Sequence, residues 1–194
     1  MNSNNEEDKD AKVLIDKKDH KMIRLKKNNY LFEYEISNEK ILLEKIVNLE
    51  LIKLIYEINK DVFDGFYLDI NSEKTGATAF FLFKHLFEDF GMSQKYSHVD
   101  VSIEKSCSKS ESKIIYRMKT NDTLPNNIEP ESKKELIPIN NIVVVCNLIT
   151  PHKMNVQIST TFHRNFELPE FIEKMSTNII SKIFLRIKQF IEKI

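Results

Sequence analysis

Apolar and polar residues alternate with period two in several stretches of this 194-residue chain, and each such stretch predicts a strand. The clearest begins at Met154, where Met154, Val156, Ile158, Thr160 and Phe162 alternate with Asn155, Gln157, Ser159, Thr161 and His163. A nearly continuous apolar run from Ile142 to Ile149 precedes it, and Thr150-Pro151-His152-Lys153 joins the two as a hairpin. Val99, Val101 and Ile103 alternate with His98, Asp100, Ser102 and Glu104, and Ile114, Tyr116 and Met118 alternate with Ile115, Arg117 and Lys119. These predict two more antiparallel strands joined through the polar segment Lys105 to Ser112. Near the start, Tyr30, Phe32, Tyr34 and Ile36 share one face while Glu33 and Glu35 share the other, and Lys26-Lys27-Asn28-Asn29 turns back to Met22–Leu25. This predicts a further hairpin.

Other stretches follow the helical period. Ser37 and Asn38 are placed to cap a helix in which Leu42, Leu43, Ile46, Val47, Leu49, Ile52, Leu54, Ile55 and Ile58 recur at helical spacing. Residues 61–76 hold Gly65 and Gly76 around Phe66-Tyr67-Leu68, a loop with one short strand. A second helix is expected to run to Phe90, because Phe80, Phe83, Phe87 and Phe90 stand three or four residues apart and Gly91 follows as a left-handed cap. At that spacing an aromatic stripe reads as core. Pro169 then opens a long terminal helix whose stripe is Ile172, Met175, Ile179, Ile183, Ile187, Phe190 and Ile194.

The expected fold class is therefore α+β: an antiparallel sheet, two helices between the N-terminal hairpin and the main strands, and a long C-terminal helix packed on the sheet. Residues 1–10 carry four carboxylates and no apolar residue after Met1, so they form a disordered acidic tail, and residues 11–194 make one domain. Lys105–Ser112 and Thr120–Lys134 are too polar to bury and are expected to be mobile. The order of elements resembles that of START-like helix-grip domains. That resemblance implies a curved sheet wrapped around the C-terminal helix, with an apolar cavity between them.

Charge narrows the partners. Twenty-nine basic and 29 acidic side chains cancel, so the chain as a whole lacks the positive field of a phosphate-binding protein, and nucleic acid is not an expected partner. Residues 12–27 do hold a local basic excess, Lys12, Lys17, Lys18, Lys21, Arg24, Lys26 and Lys27 against Asp16 and Asp19, which reads as a solvated turn region. The longest apolar run, Ile142–Cys146, is far shorter than the ~20 residues that span a bilayer, and the first ten residues lack signal-peptide character. A cytoplasmic or nuclear location is expected, with Cys107 and Cys146 as unpaired thiols.

Reactive constellations are sparse. The glycines at 65, 76 and 91 form no phosphate loop, and the sequence has neither a paired-histidine metal helix nor a nucleophile elbow. No metal or cofactor is expected. His98, Asp100 and Glu104 on one strand face, joined by His163 from a neighbouring strand, are the best catalytic candidates, against a polar outer face. Glu33 and Glu35 project together like carboxylates that hold a divalent cation, but the other pair, Glu129 and Glu131, flanks Pro130 in a loop. His85 with Glu88 and Asp89 reads as a solvated helix face.

Two functional readings follow. The preferred one is a non-catalytic protein-interaction domain, a subunit of a larger intracellular assembly with a protein partner; it expects a filled core. The alternative is a START-like domain that binds an apolar small molecule or lipid between the sheet and the terminal helix, with Phe162, Phe184 and Phe190 in the lining. A ligand-sized cavity favours the second and a packed interior the first.

Overall fold

A computed structural model of the chain describes residues 11–107, 112–123, 125, 133–166 and 168–194, with the side chain of Cys107 excepted. The acidic tail and the middles of the two polar connections, with Glu129 and Glu131, lie outside these residues. The described residues form one antiparallel sheet with a long helix across its inner face. Its ten strands are β1 (Lys12–Lys17), β2 (His20–Lys26), β3 (Asn29–Ser37), β4 (Phe63–Ile70), β5 (Gly76–Phe83), β6 (Lys95–Cys107), β7 (Ser112–Thr120), β8 (Glu135–Leu136), β9 (Ile139–Thr150) and β10 (Lys153–Phe162). Their spatial order is β1-β2-β3-β10-β9-β7-β6-β5-β4, and short β8 adds a parallel pairing beside the start of β6.

The predicted hairpins form where the turn chemistry allows. Between β2 and β3 Asn28 takes φ 65°, a conformation that Asn tolerates better than most side-chain-bearing residues. Its amide donates to the His163 carbonyl at 2.9 Å, which ties this turn to the end of β10. In the other hairpin, Val156 of β10 faces Cys146 of β9 on one side and Tyr34 of β3 on the other. The first and last strand groups of the chain are thereby joined at the centre of the sheet.

Two expected helices change. The second is strand β5 followed by a turn and one 3₁₀ turn at Glu88–Phe90, with Gly91 in the left-handed conformation at its end. The reason lies in covered faces. Ala77, Ala79, Phe81 and Phe83 point inward, while Phe80 and Leu82 point outward and are themselves covered, Phe80 packing on Tyr96 beside Leu136. With phenylalanine on both faces the period of two is masked, and the aromatics settle into the strand conformation they favour. The preceding loop likewise pairs as β4. The first expected helix breaks into α1 (Leu43–Ile46) and α2 (Glu50–Ile58), because Val47 leaves helical dihedrals and the Asn48 side chain accepts the Glu50 amide at 2.8 Å. Asn38 does not cap it; its amide instead donates to the Ile191 carbonyl at 2.6 Å.

Helix α3 (Glu170–Lys193) starts just after Pro169. Its buried apolar positions are Ile172, Ile183, Ile187 and Ile191, whereas Met175, Phe190 and Ile194 of the expected stripe are exposed. The sheet closes on it from both ends. From β3, Phe32 and Tyr34 meet Phe184 at 5.9 and 6.4 Å between ring centroids, and from β4 and β5, Phe63 and Phe83 pack with Val62 against Ile179 and Ile183.

Candidate functional site

The middle strands face α3 across a gap. Between them and α3 lies a cavity of about 280 Å³, walled almost wholly by aliphatic and aromatic side chains, among them Ala79, Val99, Tyr116, Cys146, Val156 and Ile187. Strands β3, β5, β6, β7, β9 and β10 contribute alternate residues, so the period of two also makes this wall apolar. Of the three lining residues expected from sequence, Phe162 and Phe184 border the cavity. Phe190 faces outward and is 41% exposed, because it lies about a quarter-turn from Ile191, which takes the buried position.

One charged group enters the wall. The Glu173 carboxylate is buried; Arg24 Nη1 donates to its two oxygens at 2.9 and 3.0 Å, and the Tyr30 hydroxyl donates to Oε1 at 2.7 Å. This group links α3 to β2 and β3, and Lys12 adds a bond from β1 to Glu170 at 2.6 Å. Burial, and then the hydrogen bond to Glu173, push the Tyr30 phenol above its ordinary value. Further along the helix Thr177 donates to the Glu173 carbonyl at 2.6 Å. The sequence carried one sign of this polar edge: Glu173, Thr177 and Ser181 recur every four residues beside the apolar stripe.

A second set of polar atoms lies where β3, β7 and β9 converge. Burial drives the phenols of Tyr34 and Tyr116 upward, and pushes the Cys146 thiol up to about 12, so all three stay protonated at neutral pH. Tyr116 donates to the Asn48 carbonyl at 2.9 Å. Cys146 is a free thiol.

The polar candidates are engaged elsewhere, and the structure does not gather them into one site. His98, Asp100 and Glu104 share the outer face, where His98 Nδ1 donates to the Thr123 carbonyl at 3.0 Å and Asp100 accepts from Thr78 and Asn121. Glu104 lies 3.9 Å from Arg117, and His163 sits beyond the end of β10. Glu33 accepts from Gln157 at 2.6 Å and Glu35 pairs with Lys153 at 3.0 Å. His85 lies in a turn, with Nε2 donating to the Met92 carbonyl. Among the described residues no group of three or more His, Cys, Asp and Glu is placed to hold a metal ion. No helix among them is long and apolar enough to cross a membrane.

No protein-family model matches the sequence, and no curated protein matches it. Solved structures do resemble it. Human StAR-related lipid transfer protein 5 superposes with a TM-score of 0.66 over 95% of this chain and 88% of its own, at 8% sequence identity. The fold is the START-like helix-grip. The lipid transfer and protein localization domain of human StarD13 gives 0.62 over 92% and 87% at 6% identity, and human STARD10 gives 0.58 over 92% and 71% at 8%. The preference for a non-catalytic interaction subunit is corrected by these findings together. It assumed a filled core, and a cavity lies between the sheet and α3.

Proposed function

We propose that this chain binds an apolar small molecule or lipid in the cavity between its sheet and α3. The observation that carries the reading is the cavity itself: about 280 Å³ bounded by side chains that offer a ligand apolar contact from β3, β5, β6, β7, β9, β10 and α3. Packing those faces against one another would have stabilised the fold more than leaving them apart, since an empty cavity forfeits dispersion contacts. The names of two structural neighbours, which speak of lipid transfer, agree with this use of the fold. On this reading Phe162 and Phe184 touch the ligand, one from the end of β10 and the other from the middle of α3.

The test is fluorescence titration with 1-aminoanthracene, a flat apolar probe whose emission rises out of water. Saturable enhancement is expected, and Ala79→Leu, which adds bulk at a fully buried wall position, is expected to weaken it several-fold. A parent protein that gives no enhancement, with the fold intact by circular dichroism, overturns the reading.

A further inference from the structure

The inner wall has one phenol whose hydroxyl has no partner among the described residues. Tyr30 gives its proton to Glu173 and Tyr116 gives its proton to Asn48, whereas Tyr34 makes only ring contacts, to Phe32 at 5.4 Å and Phe184 at 6.4 Å. Tyr34 is 7% exposed, lines the cavity, and its oxygen is not among the sealed, unpartnered polar atoms, which are His20 Nε2 and Asn147 Oδ1. Buried hydroxyls are nearly always satisfied, and one that borders a cavity without a protein partner marks where something in the cavity completes it. Resting on the binding function proposed above, we propose that Tyr34 is the anchor of the ligand, donating a hydrogen bond to the single acceptor oxygen of a small, neutral, otherwise apolar molecule.

Charge and size define that class. The wall's charged group, Glu173, is already paired with Arg24 behind it, so a ligand carboxylate or phosphate would enter without a counter-ion and against the cost of desolvation. A carbonyl or ether oxygen carries no such penalty. A cavity of about 150 Å³ holds one benzene. At equal filling, the 280 Å³ here takes a molecule roughly twice that size, a fused bicyclic or one short chain and not a two-chain phospholipid.

The probes are 1-tetralone and its hydrocarbon isostere 1-methylenetetralin, which differ only in the acceptor oxygen. Binding of both to the full chain is measured calorimetrically for the parent and for Tyr34→Phe, which removes the hydroxyl and keeps the ring. The expected result is that Tyr34→Phe weakens 1-tetralone about three- to tenfold and leaves 1-methylenetetralin within about twofold. The carbonyl stretch of bound 1-tetralone gives a second readout on the parent protein, expected to fall below its value in hexane and to return toward it in the variant. Equal weakening of both probes makes Tyr34 a packing residue and overturns the anchor. So does a low carbonyl stretch that persists in the variant, which moves the donor to Ser97 or Thr160. If both tetralins fail to bind while 1-aminoanthracene still does, the anchor and the ligand class fall and the cavity reading stands. Failure of all three probes removes both.

Discussion

Helix α3 does two different jobs along its length. Its C-terminal half is seated by apolar packing: Ile183, Ile187 and Ile191 are buried, and Phe184 lies against Phe32 and Tyr34, with Ile187 and Phe184 also bordering the cavity. Its N-terminal half buries Ile172 and is tied to the sheet by polar contacts, Glu173 to Arg24 and Tyr30, and Glu170 to Lys12. Apolar packing is non-directional, so it suits the half that carries most of the buried stripe. Hydrogen bonds fix a distance, so they can hold a helix in place beside a hollow.

The largest effect expected from this contrast is at the apolar end. Ile187→Ala should lose about 2–5 kcal/mol, from lost transfer energy and a residual cavity, measured by urea denaturation. A loss below 1 kcal/mol, by the same measurement, would mean that this half of the helix is also loosely seated. At the bridging end, Glu173→Ala leaves the Arg24 guanidinium and the Tyr30 hydroxyl without their acceptor. A cost of about 1–3 kcal/mol is expected, nearer the lower figure because the Arg24 side chain is 32% exposed and water can solvate it. Amide exchange in residues 170–177 should rise in this variant while residues 183–191 stay protected; uniform acceleration would erase the distinction between the halves.

Alkaline titration probes the wall between them. Burial raises the Cys146 thiol from an ordinary 9.0 to about 12, so the folded state favours the protonated form. That contribution is fully present below pH 9, and it is lost as pH rises through the window up to about 12. Tyr34 and Tyr116, raised in the same sense, add their loss from about pH 10 upward. Cys146→Val should flatten the first part of this decline without changing the rest, as read from urea midpoints at successive pH values. The smallest effect lies on the solvent side of α3, where Arg186 and Lys182 hold the Asp61 carboxyl well below its ordinary range. Lys182→Ala should change stability by less than about 0.5 kcal/mol, because both partners of that 3.0 Å pair are half exposed.

The apolar half was far easier to read from the sequence than the polar tether. Alternation located β6, β7 and β10, a nearly continuous apolar run located β9, and the apolar spacing located α3, because these patterns report which faces of an element avoid water. The same pattern cannot say whether a buried side chain meets another side chain or a cavity, so Phe162 and Phe184 could be nominated while the cavity could not be derived. Phe190 was nominated on spacing alone, and Ile191 beside it takes the inward position. Strand β5 was hidden for a related reason. Its outward Phe80 is covered by Tyr96 and neighbours Leu136, and a strand buried on both faces loses its alternation. Tyr34 read only as part of an apolar strand face and Glu173 drew no candidate role, because a polar atom's partners are set by distant strands.

The pairing of β3 with β10 has a consequence for how the chain is made. On the ribosome β1, β2 and β3 emerge before β10, and the free edge of β3, with Tyr30, Phe32, Tyr34 and Ile36 turned inward, stays unpaired until β10 is synthesised. An open edge with an apolar face is a template for the wrong neighbour. Contacts between residues so distant in sequence also form slowly, because loop closure precedes any gain from burial. The polar face of β3, with Glu33 and Glu35, discourages two nascent copies from stacking through that side during the wait, by like-charge repulsion.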